Sequence, residues 1–302
     1  IAITGASGFV GVNLKSYLYQ GNTVEPLSVR YIKNQEFNFN QDVIIHLSGK
    51  AHDLKKAADA KVYQEANFEL TKQLYDGFLK SDKATTFIFI SSVKAIADAV
   101  DGILTEATEP APKTAYGISK RNAEHYILEK ELPSNKRFFI LRPCMIHGPE
   151  NKGNLNLMYN LVIKNIPWPL GNYNNQRSFL YIGNFNFIIK ELITNSSLKS
   201  NVYNLADDKP LATNDLVAII AKTLNLKPKI LKIPKSIINS LAVIGDFSKL
   251  SLNSERLQKL TENYVVSNSK IKNDIGKKLP FTVEEGLINT FNSFKKNKNF
   301  SL

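Results

Sequence analysis

The chain opens on a turn that limits what can follow it. Residues 1–4 read as a short β-branched strand. From there Thr4-Gly5-Ala6-Ser7-Gly8-Phe9-Val10-Gly11 leads straight into a helical pattern over residues 9–20 that Gly21 ends. Gly5 can take the tight turn, Gly8 lets backbone N–H groups approach a pyrophosphate, and Gly11 lets the helix lie close on the strand. The helix N-terminus then offers amides and a partial positive charge to an anion. The spacing is G-x-x-G-x-x-G, not G-x-G-x-x-G. Three glycines alone could be a structural turn, and it is their position at the first strand–helix junction that points to dinucleotide binding.

The pattern that follows agrees. Strand-like runs at 23–29, 42–48, 85–91 and 137–141 alternate with helical stretches at 53–80 and 116–131. This alternation implies parallel βαβ units and an α/β doubly wound sheet. Residues 31–41 are too few for a helix plus a strand, so one unit is trimmed there. After Pro149 the chain becomes rich in Asn, Lys and Pro, and Pro167-Trp168-Pro169 interrupts it. We expect a dinucleotide-binding domain over 1–148, with 177–205 returning to it. A smaller α+β substrate-binding region is expected from 149–176 and 206–302. Residues 178–182 and 202–205 are expected to rejoin the large sheet as strands.

Composition narrows the class. Of 302 residues, 43% are hydrophobic and 22% charged, the balance of a chain that buries a core. No apolar run approaches the roughly 20 residues of a membrane span. No signal peptide is expected ahead of the first strand, although the chain opens without a methionine. One cysteine, Cys144, can make neither an internal disulfide nor a zinc site, so a reducing cytoplasm is the expected location. Thirty-nine Lys and Arg against 27 Asp and Glu give a net charge of +12, which draws anionic partners. The basic residues are spread, with modest clusters at 227–235 and 295–298. No recognition motif accompanies them, so specific nucleic-acid binding is not expected.

Two further groups suggest chemistry. Tyr116 and Lys120 stand one helical turn apart, on the same face. A tyrosine titrates near pH ~10, and a nearby lysine favours its phenolate, which makes an acid/base for a sugar hydroxyl or ketone. Y-x-x-x-K occurs often by chance, but here the strand over 85–91 ends in Ser91-Ser92. That places a hydroxyl at the carboxyl edge of the sheet, where open α/β folds bind ligands. At the end of the second strand, Leu27-Ser28-Val29-Arg30 offers no carboxylate for an adenosine ribose, and Arg30 suits a 2′-phosphate, so the cofactor leans to NADP.

Together these motifs resemble the extended short-chain dehydrogenases/reductases, in the nucleotide-sugar epimerase, dehydratase and 4-ketoreductase branch. TGASGFVG is similar to the family's T-G-x-x-G-x-x-G, Tyr116/Lys120 to Y-x-x-x-K, and Ser92 to its catalytic Ser/Thr. His46-Leu47-Ser48-Gly49 resembles H-L-A-A beside the cofactor, and Asn67 the asparagine of N-x-x-x-T. The stretch from Leu141 through Pro143 to Pro149 resembles L-R-P-x-x-V-Y-G-P against the nicotinamide. Arg177 matches the arginine of R-x-F-x-x-V at the substrate diphosphate.

The resemblance implies a Rossmann-like fold with Ser92, Tyr116 and Lys120 catalytic. It implies cofactor contacts from Gly5, Ser7, Gly8, Phe9, Val10, Gly11, Leu47, Ser48, Gly49, Asn67 and Pro143, with Arg30, Tyr116 and Lys120. By the same analogy Lys152, Asn154, Arg177 and Arg256 would hold a nucleotide-sugar substrate. Ser92 is followed by Val93-Lys94, not the Asp-Glu of dehydratases, so elimination is not expected. What remains is NAD(P)-dependent hydride transfer at C4, as a 4-ketoreductase or, alternatively, a 4-epimerase that keeps its NAD. A non-catalytic dinucleotide-binding protein is the rival from another class. His147, Trp168 and Cys144 read as packing residues, and no histidine has metal-ligand spacing. A homodimer through the helices at 53–80 and 116–131 is the implied assembly.

Overall fold

The computed structural model describes residues 1–50, 59–151, 154–248 and 253–299, with the side chains of Asn154 and of residues 296–299 excepted. Lys152, Gly153, His52 and the part 53–58 of the stretch expected to be helical therefore lie outside the described residues.

Six parallel strands make the main sheet, in the order β2-β1-β3-β4-β6-β9. They are β1 (Ala2–Thr4), β2 (Glu25–Leu27), β3 (Val43–His46), β4 (Thr86–Ile90), β6 (Arg137–Pro143) and β9 (Asn201–Leu205). Between them in sequence lie β5 (Ile103–Leu104), β7 (Met145–His147) and β8 (Phe179–Tyr181), with β10 (Val265–Val266) near the end. Every residue of β1, β3 and β4 is buried, as expected of parallel strands covered on both faces. The helices are α1 (Phe9–Leu18), α2 (Ala60–Tyr63), α3 (Leu70–Lys80), α4 (Ala115–Glu129), α5 (Asn154–Ile163), α6 (Ile182–Thr194), α7 (Thr213–Thr223), α8 (Lys235–Phe247), α9 (Ser254–Thr261), α10 (Ser269–Ile275) and α11 (Val283–Asn299).

One face of the sheet carries α3 and α4 over Phe87, Phe89 and Ile140, with Tyr75 and Phe78 packed on Phe87. The other face carries Leu14 and Leu18 of α1, Phe185 and Ile189 of α6, and Ile271 and Ile275 of α10. A separate apolar cluster joins Tyr159, Trp168, Ile220, Ile238 and Phe291 among the later helices. Residues 28–42, where no helix forms, cross back over β1 and bury Phe39 against the α3 face, with Phe37 stacked on it and Tyr31 packed on the same cluster, so aromatic side chains close the trimmed unit.

One expectation is corrected. Residues 178–182 do not rejoin the main sheet. The place beside β6 is taken by β9, and β8 instead pairs in parallel with β7, which continues past Pro143. Leu180, Tyr181 and Ile182 still enter the sheet's core. Within the helix expected over 53–80, residues 60–80 are continuously helical, and Gln64–Glu69 forms a π-helical stretch between α2 and α3. Such a widened turn frees a carbonyl and often marks a working position, and Asn67 lies inside it.

Candidate active site

The sheet order reverses direction at β1, between β2 and β3, and this reversal opens a crevice at the strands' carboxyl ends. A cavity of about 890 Å³ lies there, lined by Gly5–Gly8, Pro26–Tyr31 and Leu47–Lys50 and closed by Val62, Glu65, Ala66 and Leu70. Gly5 has φ +69°, which a side chain would strain, and a Cβ there would press on the Ser48 amide at 2.8 Å. A Cβ on Gly11 would collide with the Gly5 carbonyl and the Ala6 backbone, so only glycine lets α1 lie this close to the turn.

Gly8 caps α1 without any side-chain hydrogen bond, and no acid sits in the helix's first turn. The amides of Phe9, Val10 and Gly11 therefore begin a helix whose positive end is not neutralised by the chain itself. The volume falls within the ~300–1,000 Å³ of small-molecule and cofactor clefts. Glycine backbone, open helix terminus and volume all fit a dinucleotide. Arg30 is exposed on the same lining.

A hydrogen-bond chain fixes the cleft floor. The Ser48 N–H donates to Thr4 Oγ1 (3.1 Å), which donates to His46 Nδ1 (2.8 Å). His46 Nε2–H donates to Thr71 Oγ1 (2.9 Å), which donates to the Asn67 carbonyl (2.7 Å). With one proton per hydroxyl, the direction assigns a neutral imidazole protonated on Nε2. Burial, helped by the charge of Lys120, holds the His46 pKa well below its usual range. The Asn67 amide is buried and engaged three times: Oδ1 accepts the Lys50 N–H (2.8 Å), and Nδ2 donates to the Lys50 carbonyl (3.2 Å) and to Ser119 Oγ (3.0 Å). Asn67 thus ties the loop after β3 to α4. It would serve the cofactor by positioning Gly49 and Lys50.

Ser92 and Tyr116 meet beyond this floor. Ser92 ends the loop after β4, and its Oγ accepts the Lys94 N–H (3.2 Å), which leaves the serine proton for the Tyr116 oxygen. That side-chain hydrogen bond lowers the Tyr116 pKa, but burial acts more strongly and raises it above the ordinary value. The expected lowering by Lys120 is therefore corrected. Lys120 is buried, its ammonium donates to the Ile90 carbonyl (2.9 Å) and lies over the Phe89 ring, and desolvation brings its pKa down to about 8. A lysine weakened in this way and committed to the sheet does not offset the desolvation of the phenol. Tyr63 packs edge-on against Tyr116 from α2.

Glu124, one turn beyond Lys120, accepts Arg142 through Nε (3.0 Å) and Nη2 (2.7 Å) and also Ser91 Oγ (2.5 Å). Sequence reading missed this buried network, although Arg142 lies inside the L-R-P motif. It clamps α4 to the ends of β4 and β6, and so holds Ser92, Tyr116 and Lys120 relative to one another. Pro143 is buried at the end of β6, paired in register with Leu205.

The substrate candidates are more dispersed. Arg177 donates from Nη1 to the Lys259 carbonyl at the end of α9 and lies 3.9 Å from Glu262, so it is held by the later region rather than standing open. Arg256 is exposed on the same α9. Asn154 begins α5. His147 is buried, with Nδ1 2.9 Å from Thr290 Oγ1 of α11, and Trp168 is buried with Nε1 on Asn214 (3.1 Å), so both pack as expected. Cys144 is buried, and its thiol is pushed well up by desolvation. Among the described residues, no helix is long and apolar enough to cross a membrane.

Known proteins resemble this chain in sequence and fold. A UDP-glucose 4-epimerase of Vibrio cholerae is 29% identical over 99% of this chain and 96% of its own length. A GDP-6-deoxy-D-mannose reductase of Pseudomonas aeruginosa is 27% identical over 50% of this chain and 53% of its own. Among solved structures, MoeE5 in complex with UDP-glucuronic acid and NAD superposes with TM-score 0.74 at 16% identity, covering 98% of this chain and 99% of that one. Residues 1–206, which carry the glycine turn, the Ser92–Tyr116 pair and the Glu124–Arg142 clamp, match the model of one family, and the chain belongs to it: the NAD dependent epimerase/dehydratase family.

Proposed function

We propose that this enzyme reduces the 4-keto group of a nucleotide-linked sugar, of the UDP-hexosamine type, with NADPH. The observation that carries the reading is the Ser92–Tyr116 pair, in which Ser92 donates to the oxygen of a phenol that is protonated at neutral pH, as an ordinary tyrosine is, and that burial shifts further toward the protonated form. A protonated tyrosine is an acid ready to give a proton to a ketone oxygen. The dinucleotide, when bound, supplies the hydride to the sugar carbon. Ser92 steadies the oxygen as charge develops on it, and Lys120, buried and near neutrality, helps return a proton to Tyr116. Arg30 on the cleft lining suits a 2′-phosphate, and the absence of an acid at the end of β2 supports NADP over NAD. Arg177, bonded to the Lys259 carbonyl of α9, and Arg256 of α9, with Asn154 of α5, would hold the substrate diphosphate. The single buried thiol suits a reducing cytoplasm. Exposed Ile118 and Leu128 on α4 support a homodimer through α3 and α4.

A second reading, 4-epimerisation with retained NAD, is favoured by the nearly full-length relation to a UDP-glucose 4-epimerase. The test offers the purified protein a UDP-4-keto-6-deoxyhexosamine with NADPH, and separately UDP-hexosamines alone, while following nicotinamide absorbance and sugar NMR. Stoichiometric NADPH consumption with a C4 alcohol as product is expected. C4 epimers interconverting with no net cofactor change would replace the first reading by the second. Absence of turnover on any nucleotide sugar would overturn both.

A further inference from the structure

We infer that α8 and the lysine-bearing segment before it dock this protein onto the surface of an anionic lipid bilayer. α8 buries only Ile238, Ala242 and Gly245 against the body of the protein. Ile237, Leu241 and Ile244, spaced at one helical face, are 51%, 46% and 55% exposed, and the adjoining face holds Val243 at 52% and Phe247 at 92%. Single exposed apolar residues are ordinary on a protein surface, but five on one helix of thirteen residues form a continuous face that needs a partner.

The charge beside that face says which partner. Lys227, Lys229, Lys232 and Lys235 are all exposed on the segment that runs into α8, and Leu231 among them is 47% exposed. Asp246 is the only acid from residue 226 to 248, and its carboxylate is taken up by Ser254, from the backbone N–H (2.9 Å) and the hydroxyl (2.6 Å) at the start of α9. An exposed apolar helix face led into by four exposed lysines matches acyl chains beneath anionic headgroups. Self-association through a two-fold axis would bring the same lysines against each other, a like-charge contact that opposes a dimer here.

Docking would also bear on the site, because α9 packs along α8 and its Lys259 carbonyl holds Arg177. The inference itself does not depend on which sugar reaction the cleft performs.

The test is flotation of the full chain with vesicles of phosphatidylcholine containing phosphatidylglycerol, against pure phosphatidylcholine, at low salt. The protein is expected to float with the anionic vesicles only, and to be released by high salt. The triple variant Leu241→Ser, Ile244→Ser, Phe247→Ser and the double variant Lys229→Glu, Lys232→Glu should each lose about tenfold or more of the bound fraction. Both should keep the parent's thermal midpoint, because every substituted side chain is exposed. Parent protein that stays soluble beside anionic vesicles, or variants that float as it does, would overturn the inference. So would a triple variant that halves the molecular mass in solution while the parent shows no flotation, since the face would then be a subunit interface.

Discussion

The ammonium of Lys120 donates to the carbonyl of Ile90, the last residue of β4, at 2.9 Å. This bond ties the helix that carries Tyr116 to the strand end that presents Ser92. It also encloses a cation, whose charge is only partly offset by Glu124 one turn along.

The first prediction concerns that cation's cost. The pKa of Lys120 falls from 10.5 unfolded to about 8 folded, so folding disfavours the charged form. Below about pH 8 both states are protonated and the full penalty applies. Between about 8 and 10.5 the unfolded chain binds more protons, and stability rises with pH as the penalty is relieved. Lys120→Met removes the titrating group and leaves the Ile90 carbonyl without this donor. Relative to wild type, the variant should therefore lose stability by up to about 3 kcal/mol as pH rises from 7 to 10.5. Denaturant unfolding of both proteins across that range checks this, and a constant difference would show that the buried ammonium carries no such penalty.

A second prediction separates chemistry from binding. Tyr116→Phe removes the proposed proton donor but keeps the ring that packs on Tyr63. Turnover should fall by ~10²–10⁴-fold, the usual contribution of a positioned acid, with dinucleotide affinity within a few-fold of the parent. Ser92→Ala should lose less, because it removes the partner of the phenol and not the proton itself. Steady-state kinetics beside a cofactor fluorescence titration reads both. Equal losses of affinity and turnover would instead mark Tyr116 as a structural residue.

Much of this was legible because the deciding signals are local. Gly5, Gly8 and Gly11 announce a turn whose geometry depends on their own backbone, and the position of Ser92 follows from a strand ending where its apolar run ends. What stayed hidden is relational. Nothing near Glu124 in sequence marks it as the acceptor of Arg142 and Ser91, since those groups meet only when β4 and β6 lie side by side. The π-helical turn at Asn67 has no composition of its own and arises from bonds to Lys50 and Ser119. The pairing of β8 with β7 could not be read either, because residues 178–182 have a strand's pattern whichever edge accepts them. Arg177 shows the same limit: its motif was clear, and its hold on Lys259 and Glu262 was not.

The hidden clamp gives the third prediction. Glu124 and Arg142 are both buried, so removing one leaves a charge without its main partner. Arg142→Met should destabilise the fold by about 3–5 kcal/mol, and Arg142→Met with Glu124→Leu should recover most of that loss. The double variant still lacks the acceptor of Ser91 Oγ, so its kcat should stay below the parent's even where stability returns. Denaturant midpoints and kcat measured on the same samples distinguish the two effects. Full recovery of both would mean that the clamp contributes stability alone.

The last prediction rests on Arg30. Its guanidinium stands on the cleft lining beyond β2, where the chain runs Leu27-Ser28-Val29-Arg30 and residues 26–35 hold no carboxylate. A 2′-phosphate there would gain a charge-assisted contact, and a free ribose would find no acceptor. Arg30→Asp inverts both conditions: the carboxylate accepts from the ribose hydroxyls and repels the phosphate. We expect the kcat/KM ratio of NADPH to NADH to fall by about 100-fold, roughly half from weakened NADPH and half from improved NADH, each ~1.4 kcal/mol. Because Arg30 is exposed and remote from Ser92 and Tyr116, kcat at saturating cofactor should change little. An unchanged ratio would make Arg30 a solvated loop charge and leave the cofactor choice to Pro26–Tyr31 backbone contacts, with retained NAD and 4-epimerisation as the better reading.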